Sequence, residues 1–106
     1  MGKKKANQSD ASTPEGLKDL GNAAFSAGDY KQAIECYTAA INMAMKAGPD
    51  TRPNHLFFSN RANAKLQLKE YEGCLEDAKI AVYLDGTHVK SYLRGAYAHY
   101  YLHQLQ

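Results

Sequence analysis

The sequence predicts an all-α protein built from antiparallel helix pairs. Three observations lead there. Apolar residues recur at helical spacing from Pro14 onward, and no stretch sustains the period-two alternation of a strand. Gly, Pro, Asp and Asn fall between the apolar stretches, where helices stop and restart. Two segments also repeat: "GDYKQAIECYTAAI" aligns with "KEYEGCLEDAKIAV", setting Tyr30 on Tyr71, Ala33 on Cys74, Ile34 on Leu75 and Ala40 on Ala81.

The first helix opens in "STPEG", with Ser12 or Thr13 as cap and Pro14 in the first turn, where a missing N–H costs nothing. Gly28 stops it, and Asp29 caps the second, whose stripe is Tyr30, Ala33, Ile34, Tyr37, Ala40, Ile41 and Met45. The Gly- and Pro-rich "AGPDTRPN" ends that helix in an irregular loop. A third helix follows Asn54, and a fourth runs from Tyr71 to the stop at Asp85 and Gly86. The fifth begins near Thr87 and continues to the chain end.

Ahead of them, residues 1–13 read as a disordered basic tail, and residues 14–106 form the domain. The chain carries 13 Lys and Arg against 11 Asp and Glu, a net charge of +2. Lys3, Lys4 and Lys5 against Asp10 account for the whole excess, so the domain is neutral and lacks the broad basic face of a nucleic-acid binder. No apolar run is long enough to cross a membrane. "MGKKKANQSD" has no apolar stretch behind it, and Ala6 stands where a myristoylation motif wants Ser or Thr. The expected location is cytoplasmic. Cys36 and Cys74 sit inside helical stretches and read as small core residues in a reducing compartment.

The offset between the repeated segments is 41 residues, and removing seven around "AGPDTRPN" restores a 34-residue period. Small residues at Gly21, Ala62, Ala96, Ala33 and Cys74 allow close helix approach, and Phe25, Leu66 and Tyr100 fill the space between. Leu17, Leu20, Gly21, Phe25, Gly28, Tyr30, Ala33, Tyr37 and Ala40 fit one pattern, which resembles the tetratricopeptide repeat. The resemblance covers everything after residue 13: two full repeats plus the first helix of a third. It departs from the family in the longer first loop and in lacking the family's Trp.

The resemblance implies that first helices line a concave groove and second helices form the convex back. Charge follows the same division. First helices carry Lys18, Arg61, Lys65, Lys90 and Arg94 against Glu15 and Asp19; the second repeat's second helix and its end carry Glu72, Glu76, Asp77 and Asp85 against Lys79. A positive groove attracts an acidic extended segment. Lys18 and Asn22 share a helix face at i and i+4, as do Lys90 and Arg94, and Asn60 lies in "SNRA" on the helix between.

Residue by residue, Lys18, Asn22, Asn60, Lys90 and Arg94 resemble the two-carboxylate clamp of co-chaperone tetratricopeptide domains. That clamp grips the terminal Asp of 70-kDa and 90-kDa heat-shock chaperones, whose tails end in Glu-Glu-Val-Asp. A chain ending in Asp presents two carboxylates close together, and holding both takes cations plus neutral donors. Charged hydrogen bonds of about 1.5–3 kcal/mol each, less the cost of ordering a peptide, lead to micromolar affinity, about −8 kcal/mol.

Singly, a surface Lys is usually just solvated, and an Asn such as Asn22 or Asn60 often bonds a nearby backbone carbonyl. Their joint occurrence at the clamp positions favours the ligand role. Phe57, Arg61, Lys65 and Tyr92 are candidate additional groove contacts; Phe58 shares the apolar part of that role. His99 and His103, at i and i+4, lack an acidic or cysteine partner and read as ordinary helix residues, so no metal is expected. Tyr92, Tyr97, Tyr100 and Tyr101 read mostly as packing, Tyr92 and Tyr100 at family core sites. Cofactor-binding loops and catalytic sets are missing from the sequence, so no enzyme activity is expected within these residues. The competing function is a scaffold domain for another acidic or helical segment. A sixth helix should pack on the Tyr-rich fifth, so the chain reads as a fragment of a longer protein, with self-association through that face if it stands alone; exposing apolar surface is unfavourable by about 25 cal/mol per Å².

Overall fold

The structure, a computed structural model, describes residues 10–104. Five helices follow one another: α1 (Pro14–Ser26), α2 (Tyr30–Lys46), α3 (His55–Gln67), α4 (Tyr71–Leu84) and α5 (Val89–Gln104). The expected starts hold in detail. The Thr13 hydroxyl accepts from the Gly16 N–H, Asp29 from Gln32 and Asn54 from Leu56, each satisfying an otherwise orphaned helix N–H. The loop is more regular than its composition predicts: Pro49–Thr51 form a single 3-10 turn, and Thr51 Oγ1 ties it back to the Ala44 carbonyl at 3.0 Å.

Of the expected tail, residues 1–9 lie outside the described residues. Asp10 to Thr13 form a turn, in which Ser12 donates to Asp10 through both its N–H and its hydroxyl. That turn folds against the start of α1, where Gly16 has no room for a Cβ.

Each helix packs on the next in sequence, α1 on α2, α2 on α3, α3 on α4 and α4 on α5, while α1 and α5 also touch α3. The result is elongated, 54 × 32 × 21 Å. Close approach within the first pair depends on Gly21, because a Cβ there would fall 2.6 Å from the Tyr37 ring. The turns after α1 and α3 are homologous. Gly28 adopts φ +81 after α1, and Lys69, at the equivalent position after α3, adopts φ +62. In both turns the following N–H reaches back to close the helix: Asp29 to Ala24 and Glu70 to Lys65.

Buried alanines dominate the interior, which lets helix axes run close. Ala40, Ile41, Phe57, Phe58 and Ala81 form one cluster, with Leu17 against it. Ala33, Tyr37 and Ala64 form a second, and Ala62, Cys74, Ala78 and Ala98 a third. Phe57, expected as a groove contact, is only 2% exposed, and Phe58 is also buried. Both are core residues because their side of α3 faces α2 and α4. Cys36 and Cys74 are buried free thiols, and burial pushes the Cys74 thiol up to about 11.

The Tyr-rich face of α5 departs from the packing role expected of it. Tyr92, Tyr97, Tyr100 and Tyr101 are 41–56% exposed, and Ala96 is exposed while Ala98 is buried. Among the described residues no element follows α5 to cover this face. Likewise, no described helix is long and apolar enough to cross a membrane.

Candidate functional site

Asn22 is the centre of the polar cluster. Gly21 lets Tyr37 of α2 pass against α1, which puts the phenol beside Asn22 and gives a hydrogen bond from Tyr37 to Asn22 Oδ1 of 2.5 Å. Burial pushes this phenol up to about 12, so it keeps its proton and donates. Asn60 of α3 donates to the same oxygen from Nδ2 at 3.2 Å. With its carbonyl occupied twice, Asn22 keeps both amide N–H groups for a ligand. Asn22, Tyr37 and Asn60 line one cavity of about 220 Å³ with Phe25, Ser26 and Asn63.

Arg94 approaches from α5. Its Nη1 donates to the Ser59 carbonyl at 2.9 Å and to the Ser59 hydroxyl at 2.8 Å. Ser59 directly precedes Asn60, so this contact docks the guanidinium beside the amide cluster. Nη1 is committed to protein, and the donors on Nη2 and Nε remain for a ligand. Desolvation lowers the Arg94 pKa from its ordinary high value, and the guanidinium stays charged. Its charge is felt at the Tyr37 phenol, where it opposes the effect of burial.

Lys18 and Lys90 lie one helical turn from Asn22 and Arg94 respectively. Lys18 is held by Glu15 at 3.3 Å and Asp19 at 4.0 Å, and its side chain is 15% exposed. A ligand carboxylate has to compete with those two acids. Lys90 is exposed, and among the described residues it forms no ion pair.

Arg61 and Lys65 do not belong to this cluster. Arg61 makes a two-pronged contact with Asp77 of α4, Nε and Nη2 each at 2.8 Å, and its Nη1 donates to Thr38 of α2. Lys65 Nζ reaches the same carboxylate at 3.0 Å. Both cations therefore turn toward the second helices and balance a carboxylate that is 2% exposed. The charge division expected from sequence overstates the positive groove by these two residues. Tyr92 also turns elsewhere: it lines a cavity with Leu75, Ala78 and Val82, and its hydroxyl donates to the Gly86 carbonyl at 2.8 Å.

Sequence reasoning missed Tyr37, Ser59 and Asp77. Tyr37 reads in sequence as one more member of the apolar stripe of α2, although the small residue Gly21 opposite it signals an unusually close approach. Ser59 carries no signal of its own beyond lying next to Asn60. Asp77, among the acids of α4, lies near the middle of that helix's buried stripe, a position an acid takes only when paired.

His99 and His103 stand with Nε2 atoms 3.1 Å apart, and no group of three or more potential metal ligands occurs among the described residues.

A family model described as tetratricopeptide repeat matches residues 14–44. Heat shock protein STI1 of Saccharomyces cerevisiae is 38% identical over 87 residues, 82% of this chain and 14% of its own length. The chain thus spans about one seventh of that curated relative. Among solved structures, the second tetratricopeptide domain of Spaghetti (RPAP3), bound to the HSP90 peptide SRMEEVD, superposes with a TM-score of 0.77. It is 35% identical, and the match covers 90% of this chain and 82% of that one. The second such domain of human RPAP3, in complex with the HSP70 peptide SGPTIEEVD, gives a TM-score of 0.71 at 34% identity, covering 87% of this chain and 74% of the other.

Proposed function

The chain belongs to the tetratricopeptide-repeat family, and from that premise we propose that it binds the C-terminal Glu-Glu-Val-Asp tails of 70-kDa and 90-kDa heat-shock chaperones. The observation that carries this is the joining of α1, α3 and α5 at one polar cluster: Asn22 to Asn60 directly, and Arg94 to the residue before Asn60. Similar domains bound to chaperone peptides ending in EEVD support it. The family is a binding family, so the activity proposed for these residues is recognition rather than catalysis. Buried free thiols are in keeping with a reducing, cytoplasmic setting.

Lys18, Asn22, Asn60, Lys90 and Arg94 are the proposed contacts. Asn22 and Asn60 supply neutral donors, so the empty groove is spared the repulsion of a purely cationic site. Lys18 adds charge beside the amides, and Lys90 and Arg94 form a second cationic centre one turn apart on α5. An Asp at a free C-terminus offers one carboxylate to each. The same residue inside a chain offers only one carboxylate in all, so the site selects chain ends.

Calorimetric titration with the free-acid peptide Glu-Glu-Val-Asp and its C-terminal amide tests this. The acid should bind with micromolar affinity, about −8 kcal/mol, and the amide at least about tenfold more weakly. Lys18→Ala and Arg94→Ala should each weaken the acid and bring the two peptides closer. Equal binding of acid and amide to the unaltered chain overturns the assignment.

A further inference from the structure

Two serines are wholly buried beneath the proposed carboxylate contacts. Ser59 of α3 and Ser91 of α5 are both 0% exposed, and their hydroxyl oxygens lie 3.0 Å apart. Ser59 accepts from Arg94, and Ser91 Oγ lies 2.7 Å from His88 Nδ1. A continuous chain thus runs from the guanidinium through two hydroxyls to an imidazole at the start of α5. Alanine, which packs the neighbouring helix contacts at Ala62 and Ala98, would fill such positions without burying a polar group. What the hydroxyls add is a fixed path between Arg94 and His88.

Resting on the carboxylate-binding proposal above, we propose that Ser59, Ser91 and His88 are positioning residues for Arg94, and that a proton taken up at His88 strengthens the hold on the ligand. The groups facing His88 are His55 of α3, its ring edge-on with centroids 4.6 Å apart, Asp85 in the turn before α5, and Lys90 and Arg94 of α5. Burial, with His55, Arg94 and Lys90 as positive neighbours, holds His88 below the usual histidine range, and Asp85 offsets this only in part. The ligand carboxylate held at Lys90 and Arg94 relieves that repulsion, so binding draws a proton onto His88. By linkage, affinity rises as pH falls through the titration of His88.

The test is calorimetric titration of the full chain with free-acid Glu-Glu-Val-Asp between about pH 7.5 and about pH 5.5, the range that histidine titrates. The unaltered chain should bind about threefold to tenfold more tightly at the lower pH, as expected for one charge interacting across a partly screened interior. His88→Asn keeps a side-chain amide near the position of Nδ1 and suits a helix N-cap, but does not titrate. It should show a flat profile, its affinity at the lower pH staying within about twofold of its own value at the higher pH. Ser91→Ala breaks the chain and should weaken binding throughout while flattening the profile, with unfolding followed in parallel to show that the helices remain. A flat profile in the unaltered chain, or a slope that survives in His88→Asn, overturns the proposal. Preference for the free acid over the amide alongside a flat profile refutes the coupling and leaves the carboxylate site standing; loss of that preference refutes both.

Discussion

Replacing Asp77 by alanine separates cations that hold the fold together from cations that meet a ligand. In the folded chain the Asp77 side chain is 3% exposed, while Arg61 and Lys65 are 17% and 19% exposed. Arg61 contributes two contacts of 2.8 Å and Lys65 one of 3.0 Å. Removing the acid leaves two largely enclosed cations facing one another without a counter-charge. Breaking a buried ion pair costs about 3–5 kcal/mol. Because both cations keep some contact with water and partly rehydrate, the lower end, about 3 kcal/mol, is the expected loss. At about 4–8 °C per kcal/mol for a domain of this size, the melting temperature should fall by about 12–24 °C.

Lys65→Met is the companion variant. It keeps the apolar stem that lies across Gly73, where a Cβ added to the glycine would fall 3.0 Å from Lys65 Cδ. It also leaves the two-pronged Arg61 contact intact, so the loss should be about 1 kcal/mol. Its affinity for the free-acid peptide should stay within about twofold of the unaltered chain, since Lys65 points away from Asn22 and Asn60. Thermal unfolding by circular dichroism and titration calorimetry read the two effects separately. An Asp77→Ala melting shift below about 4 °C would show that the triad contributes little. A large loss of peptide affinity in Lys65→Met would return that lysine to the groove.

Three further outcomes are expected. Tyr37→Phe leaves the Asn22 carbonyl with only the longer bond from Asn60 and loosens the hold on its amide, so free-acid peptide affinity should fall by about threefold to tenfold, corresponding to one hydrogen bond of about 0.5–1.5 kcal/mol; unchanged affinity would deny Tyr37 its orienting role. Lys69→Gly removes the strain of a side chain at φ +62 and should stabilise by about 1 kcal/mol, raising the melting temperature by about 4–8 °C, as measured by thermal unfolding. Stability should also depend on pH through His88, whose native pKa lies below that of a free histidine. The unfolded chain then binds the proton first, so stability is full above about pH 6.5 and declines as pH falls toward the lower native value. Denaturant titrations across that window should show the decline, and His88→Asn should reduce it.

The sequence by itself determined the helices and their order, because the signals involved are local. Thr13, Asp29 and Asn54 cap helices through bonds to residues two or three positions away, and the apolar stripes follow the helix's own period. The repeat was legible for the same reason, while Lys18, Asn22, Asn60, Lys90 and Arg94 stood out as candidate contacts through their resemblance to the clamp of co-chaperone domains. Only the tertiary structure decided which side chains meet. Arg61 and Asn60 are adjacent in sequence, yet one turns toward a buried acid on α4 and the other toward Asn22 on α1. Tyr37 became part of the site because Gly21 admits it, and Ser59 because Arg94, 35 residues away, docks on it. Such pairings depend on how helices distant in sequence pack and on where a buried charge finds its counter-charge, and no local pattern in the chain encodes either.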